Sequence, residues 1–276
     1  MNDSPARIRL LRWQPDAVAA ADDVVAAEEP LEIRVDGRSV ALTMRTPGHD
    51  RELAAGFLLT EGVIRSGDEI ADILLCREQT AGASGNVADV RLVRPGAVDF
   101  AKLTRHVFGS SSCGVCGKAT LAALAQSFPP VPPGGPFSPA LLASLPERLR
   151  AAQPAFGATG GVHASGLFDR AGNCLGVRED VGRHNALDKL LGRALLDGRL
   201  PLGDVLLLVS GRVSFELVQK ARAGGIPVIA GIGAPSDLAI AAAREGGLAL
   251  AGFVRGDRFN LYCGAERLAL VEDTGR

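Results

Sequence analysis

Apolar and polar residues alternate through Leu31-Glu-Ile-Arg-Val35 and again through Ser39-Val-Ala-Leu-Thr-Met44, with Asp36-Gly37 between them. A period of two predicts half-buried strands, and Asp-Gly supplies the positive φ of a tight hairpin turn. Thr46-Pro-Gly-His-Asp50 then breaks the pattern and opens a helix from Arg51 to Thr60, closed by Gly62. Leu53, Phe57 and Leu58 share one face of that helix, with Ala54 beside them. Ile70 to Cys76 and Val87 to Val93 are two further strands. Residues 1–28 are Ala-rich and mixed, and read as a mobile lead-in.

Pro129 to Pro136 holds five prolines and two glycines, which neither propagate a helix nor pair as a central strand. The expected division is a small α+β domain over 1–128, a linker over 129–137, and a second domain over 138–276. Ser138 caps a helix to about Ala151, a Gly-rich segment covers Gly157 to Gly161, and Val162–Phe168 with Cys174–Arg178 make a second hairpin. Glu179 to Asn185 leads into a helix that buries Leu187, Leu190, Leu191 and Leu195.

The last third is the most regular. Val205–Val209 is a continuous apolar run, which marks a strand covered on both faces. A helix (Ser214–Ala223), a strand (Pro227–Ala230), a helix (Ser236–Arg244) and a strand (Leu248–Val254) follow, so the order is βαβαβ with parallel strands. In such sheets ligands bind at the carboxyl ends of the strands. Three loops leave those ends: Ser210-Gly-Arg212, Gly231 to Ser236, and Arg255-Gly-Asp-Arg258. Their Gly, Ser and Arg residues suit a phosphate, and Asp257 suits the N1–H and amino group of guanine. Taken singly, each loop reads better as a plain chain turn; three of them converging on one edge reverse that preference. Gly231-x-Gly233-x-x-Ser236 is a weak dinucleotide fingerprint, with Ser for its third Gly.

Composition narrows the classes. Hydrophobic residues make up 47% of the 276 and aromatics only 4%, so the core is aliphatic. Lys plus Arg number 30 against 31 Asp plus Glu, which gives no global field for nucleic acid or anionic lipid. No apolar run reaches the roughly 18 residues of a membrane span, and the N-terminus lacks an apolar signal core. Five cysteines without paired spacing point to a reducing cytoplasm rather than a disulfide framework.

The chemistry concentrates in Ser110-Ser-Ser-Cys113-Gly-Val-Cys116-Gly-Lys118, before a helix expected over Ala119–Phe128. A thiol of ordinary pKa is only roughly 3% thiolate at pH 7, so a helix N-terminus or Lys118 that lowers it matters. A C-x-x-C also fits half of a zinc site, a redox dithiol, or two inert thiols. A structural zinc needs two more ligands, and Cys76, Cys174, Cys263 and the four histidines each stand alone. His163, His184 and an Asp180–Arg183 ion pair are candidate loop-shaping or ligand-binding groups; His49, His106 and Cys76 read as structural, and Cys174 and Cys263 as strand residues.

These residues resemble the FdhD/NarQ family, the formate dehydrogenase accessory sulfurtransferases. The matching stretches are Thr46-Pro-Gly-His-Asp50, Leu53-Ala-Ala-Gly-Phe57, Thr60-Glu-Gly62, Ser111-Ser-Cys-Gly-Val-Cys-Gly117, Thr159-Gly-Gly-Val-His163 and Arg178 to Asn185. Val209-Ser-Gly-Arg212, Gly225-Ile-Pro-Val228 and Gly252 to Asn260 complete the set. The resemblance implies an α/β fold whose second domain is cytidine-deaminase-like and three-layered. It implies a cytoplasmic homodimer that takes sulfur from a cysteine desulfurase as a persulfide on Cys113, with Cys116 resolving or assisting. That sulfur goes to the molybdenum cofactor, Mo-bis(molybdopterin guanine dinucleotide), before insertion into formate dehydrogenase. The cofactor-binding segment falls on Phe253, Val254, Arg255, Gly256, Asp257 and Arg258, with GDP as an analogue ligand. The deaminase zinc signature is missing at the helix starts Arg183-His-Asn-Ala186 and Gly211-Arg-Val-Ser214, so no metal is assigned. Neither nucleic acid nor a membrane is an expected partner. A cofactor-binding chaperone without sulfur transfer and a metal-binding redox regulator are the alternatives.

Overall fold

The computed structural model describes residues 6–76, 86–96 and 128–270. Residues 6–25, expected to lead in without structure, form a ribbon instead: β1 (Ala6–Gln14) pairs antiparallel with β2 (Ala17–Val25) over their full length. Asp16 turns the chain at φ 68°. The ribbon had no burial pattern to find, because Leu11 and Trp13 are 73% and 72% exposed; its regularity lies in backbone pairing.

β3 (Glu29–Val35) and β4 (Arg38–Arg45) form the expected hairpin, with Asp36 and Gly37 both at positive φ, 49° and 81°. Leu31, Ile33 and Val35 are buried while the residues between them are partly exposed, as the alternation requires. β5 (Ile70–Cys76) and β6 (Val87–Leu92) complete a four-stranded sheet of order β4-β3-β6-β5, in which β3 and β6 are parallel. α1 (Asp50–Thr60) packs against this sheet.

In the second half, α2 (Pro139–Ala151) starts on its Ser138 cap, and α3 (Pro154–Thr159) is a short helix that runs into the Gly-rich segment. A six-stranded sheet follows: β7 (His163–Phe168), β8 (Cys174–Asp180), β9 (Leu206–Val209), β10 (Val228–Gly231), β11 (Ala249–Arg255) and β12 (Arg258–Cys263), in the order β12-β11-β10-β9-β7-β8. β9, β10 and β11 are parallel, as the βαβαβ reading required. The helices α4 (Arg183–Leu196), α5 (Phe215–Ala223) and α6 (Asp237–Glu245) cover one face. Alternate residues sort to the two faces. Leu206, Leu208 and Ala230 meet Leu142, Leu145 and Leu149 of α2, whereas Leu207, Val209 and Ile229 meet Leu187, Leu217 and Val218. This is a three-layer α/β/α arrangement inside a mixed α/β protein. β12 was not foreseen; it pairs antiparallel with β11, so Arg255–Arg258 is a hairpin turn.

α1 lies against α4, and one buried cluster runs from Leu31 through Leu53 and Leu187 to Leu250. The two helices touch at Gly56 and Gly192, where a Cβ on either would stand 1.8 Å from a carbonyl oxygen of the other helix. Beside this crossing Lys220 Nζ donates to Asp188 Oδ2 at 2.8 Å and to Thr60 Oγ1 at 2.9 Å. Burial pushes the Asp188 carboxyl up, against the pull of the Lys220 ammonium. The proline-rich segment is pinned to the second half: Arg267 donates to the carbonyls of Val131 and Pro132 at 2.8 and 2.7 Å.

Candidate functional site at the strand ends

The three loops at the carboxyl ends of β9, β10 and β11 come together, laced by their own backbone. Gly233 N donates to Gly211 O at 2.9 Å, Val213 N to Ala234 O at 3.1 Å, and Phe253 N to Gly233 O at 3.1 Å. Gly233 is required there, because a Cβ would lie 2.9 Å from the Arg212 nitrogen. Arg255 fastens the last loop by donating to Ile232 O and Val254 O, both at 2.8 Å. Its guanidinium thus ties β11 to the β10 loop, and the role it plays is positioning.

Phe253 is the unusual residue. Its backbone is left-handed at φ 53°, within the register break between Gly252 and Arg255, and its ring is 42% exposed. A bulky residue in that region carries strain on the order of 1–2 kcal/mol. That backbone sets an exposed aromatic ring near the carboxyl end of β11, and the hairpin turn that follows carries the exposed Asp257 and Arg258, whose charged atoms are 3.8 Å apart.

β7 is antiparallel to β9, so its first residue reaches the same edge, and the His163 ring stands 3.4 Å from where a Gly211 Cβ would be. Burial first, then the nearby Arg183 charge, holds His163 below its ordinary range, and Asp180 opposes them. The expected Asp180–Arg183 ion pair does not form. Asp180 is fully buried and accepts from Gly182 N (2.8 Å), Asn185 Nδ2 (3.1 Å) and Thr46 N (3.1 Å), and pairs with Lys189 Nζ at 2.7 Å. Four donors saturate the carboxylate, so none of its capacity is left for Arg183.

That network draws the first half of the chain into the site. Val181 N donates to Thr46 Oγ1 at 3.0 Å, Lys189 Nζ to Thr46 O at 2.7 Å, and Asn185 Nδ2 to Met44 O at 2.8 Å. Arg178 clasps Glu52 through two bonds of 2.5 and 2.7 Å. Burial works against the Glu52 carboxylate, but Arg178 and His49 prevail and hold it at about 2. His184 Nε2 lies 3.4 Å from Ser214 Oγ and 3.9 Å from Glu216 Oε2.

The strand-end edge thus carries Phe253 to Arg258 on β11 and its turn and His163 at the start of β7, with His184 in the first turn of α4. Cys113, Cys116, Lys118 and His106 lie outside the described residues. Cys76 and Cys174 are exposed strand-end thiols, and burial pushes the Cys263 thiol up. Residue-by-residue reasoning missed the roles of Thr46, Asp188, Lys189 and Lys220. One signal was present: Asp188-Lys189 sits between Leu187 and Leu190-Leu191, an odd place for two adjacent charges.

The fold defines a class: a mixed α/β protein with a parallel βαβαβ unit, a sheet type that takes ligands at the carboxyl ends of its strands. Residues 26–269 match the FdhD/NarQ family, and the chain belongs to that family. It is 50% identical to the sulfur carrier protein FdhD of Streptomyces avermitilis, over 96% of this chain and 95% of that one. Identity to the protein of the same name from Streptomyces coelicolor is 49%, covering 98% of each. The crystal structure of a formate dehydrogenase accessory protein from Desulfotalea psychrophila superposes with a TM-score of 0.74, at 26% identity over 96% of this chain and 99% of that one.

Proposed function

We propose that this protein is a sulfur carrier that serves formate dehydrogenase maturation by delivering sulfur to a guanine-dinucleotide form of the molybdenum cofactor, which it binds as substrate. The observation that carries the cofactor half of the reading is Phe253, an exposed aromatic in left-handed backbone near the end of the strand whose hairpin turn carries Asp257 and Arg258. An aromatic face takes the base, and a carboxylate takes guanine's N1–H and amino group. The sulfur half rests on Cys113-x-x-Cys116 in the sequence and on the relatives' sulfur-carrier name.

In the proposed chemistry the Cys113 thiolate attacks the outer sulfur of a cysteine desulfurase persulfide. The donor S–S bond breaks, the donor cysteine leaves as thiolate, and Cys113 holds the persulfide. Attack of the Cys116 thiolate on the Cys113 sulfur then expels the outer atom as hydrosulfide to the molybdenum, leaving a Cys113–Cys116 disulfide. A dithiol reductant returns both thiols. The protein acts as a soluble homodimer in the cytoplasm in this reading. Among the described residues no helix is long and apolar enough to cross a membrane.

Mass spectrometry after incubation with a cysteine desulfurase and cysteine is the test. A gain of one sulfur, about 32 Da, that Cys113→Ala abolishes supports the carrier reading. Restoration of formate dehydrogenase activity by Cys113→Ala in cells lacking the protein overturns it in favour of a cofactor chaperone.

A further inference from the structure

We infer that the outward face of the β1–β2 ribbon is the surface through which two copies of this chain associate, with Arg9, Leu11 and Trp13 on one strand and Val18, Ala20 and Asp22 on the other. The inference rests on the homodimer of the proposed function and assigns its contact face; it does not depend on the sulfur chemistry or on the cofactor.

The ribbon precedes residues 26–269, the part that matches the family, so the shared fold does not account for it. Its two faces differ. Residues directly opposite each other in an antiparallel pair share a face, and faces alternate along each strand. Leu10 and Ala21 are such a pair, half-buried in the middle of the ribbon, so their face turns towards the body, where β2 touches α3. The pairs Leu11–Ala20 and Trp13–Val18 lie on the other face. There Leu11, Trp13 and Val18 are 73%, 72% and 63% exposed. A lone two-stranded hairpin is marginal in water, and a cluster of large apolar side chains on its outer face marks a contact surface.

Charge selects the occupant. Arg9 and Asp22 stand opposite each other on the same outward face, next to the apolar pairs, yet among the described residues neither has an ion-pair partner. β1 carries three arginines and no acid, and β2 two aspartates and no base. Consider two ribbons laid face to face about a two-fold axis that runs along them. Each β1 residue then sits over the β2 residue that opposes it in its own chain. Trp13 of one copy covers Val18 of the other, Leu11 covers Ala20, and Arg9 meets Asp22 twice, once in each direction. The two bodies lie behind the far faces and do not collide. The six residues offer roughly 500 Å² per copy, about 1,000 Å² in all, the lower bound of a specific interface and that of a concentration-dependent dimer.

Trp13 is the chain's single tryptophan, so the interface carries its own reporter. Sedimentation velocity and tryptophan emission are followed on the full-length protein from nanomolar to high micromolar concentration. As dimer forms, emission should move to the blue and acrylamide quenching should fall, with the same midpoint as the sedimentation change. Leu11→Asp should raise that midpoint roughly tenfold or more with an unchanged far-UV circular dichroism spectrum. Arg9→Asp and Asp22→Arg should each weaken self-association roughly fivefold, because each sets like charges over one another at both contacts. An equimolar mixture of the two should recover the wild-type dimer, since both contacts are then opposite in sign. A local effect on the ribbon alone would persist in the mixture, and that result counts against the interface. A wild type that stays monomeric throughout overturns the homodimer reading and this inference together. A dimer whose Trp13 remains as quenchable as in the monomer, or which none of the variants weakens, overturns the ribbon interface and leaves the homodimer standing.

Discussion

Replacing Gly192 by alanine sets two effects of opposite sign against each other. In a helix interior alanine is favoured over glycine by about 1 kcal/mol, so propensity alone predicts a gain. The new methyl, however, would lie 1.8 Å from Glu52 O and 2.7 Å from Gly56 N, whereas ordinary contact begins near 3.4 Å. Both neighbours are backbone, so no rotamer change relieves the clash; α1 and α4 must part along their whole crossing. That loosens Leu53 and Leu58 against Leu187, Leu190 and Leu191, all within 1% of full burial. Overpacking costs typically 1–3 kcal/mol where side chains can yield, and here it sits at or beyond the upper end. The expected net loss is about 3 kcal/mol, which lowers Tm on the order of 6–12 °C for a chain of this size. Gly56→Ala, 1.8 Å from Asp188 O, behaves the same way, and the double variant costs less than the two single losses added, since the helices part once. Gly157→Ala in α3, with nothing within 4 Å, is the control and should be neutral or slightly stabilised. Urea and thermal unfolding by far-UV circular dichroism measure all four. A Gly192→Ala protein as stable as the wild type refutes the close crossing.

Three further outcomes are expected. Glu52 is held at about 2 against an ordinary 4.5, so its ionised form favours folding; the contribution is complete above about pH 4.5 and is lost as pH falls towards 2. Wild type should therefore lose up to about 3 kcal/mol more across that window than Glu52→Gln, and parallel urea curves would remove the pair from the account. Phe253→Gly releases left-handed strain while deleting the exposed ring. Tm should hold or rise while GDP affinity falls roughly tenfold or more, and a fall in Tm with unchanged affinity contradicts the assignment. Asp180→Asn leaves the buried Lys189 ammonium with the Thr46 carbonyl but no counter-charge, costing roughly 3 kcal/mol in urea melts. Adding Lys189→Met should recover most of it, and a strictly additive pair would show that the two do not interact.

Much of the second half was legible because burial there is regular. The continuous run at Val205–Val209, the Pro227 and Ser236 boundaries and the glycines at strand ends each specify one element, and the observed strands lie within a residue or two of the expected ones. Three places were not legible, each for its own reason. The β1–β2 ribbon has no buried face, so it leaves no hydrophobic period. β12 reads Arg-Phe-Asn-Leu-Tyr-Cys, a short alternation next to a turn, and it disappeared into a loop assigned to ligand binding. The Asp180 network depends on contacts across more than 130 residues of sequence, from Thr46 to Asp180, which no local pattern encodes. Family resemblance named the loop residues, and only the three-dimensional contacts show that Asp180 pairs with Lys189 rather than with Arg183.

That distinction explains why the two halves are packed so tightly. Formal net charge is −1, so any local surplus of positive charge has to be made by committing acids elsewhere. Glu52 is committed to Arg178, Asp50 to Arg45, Asp188 to Lys220 and Asp180 to Lys189. Each of these pairs lies on α1, α4 or the elements they touch. Thr46 N donates to Asp180 and Lys189 pairs with it, so Asp180 does not turn to Arg183, three residues on along the strand-to-helix link. Docking the first half on the second therefore does more than bury leucines: it commits Glu52, Asp50, Asp188 and Asp180 to cations within the packed helices and the strands they touch.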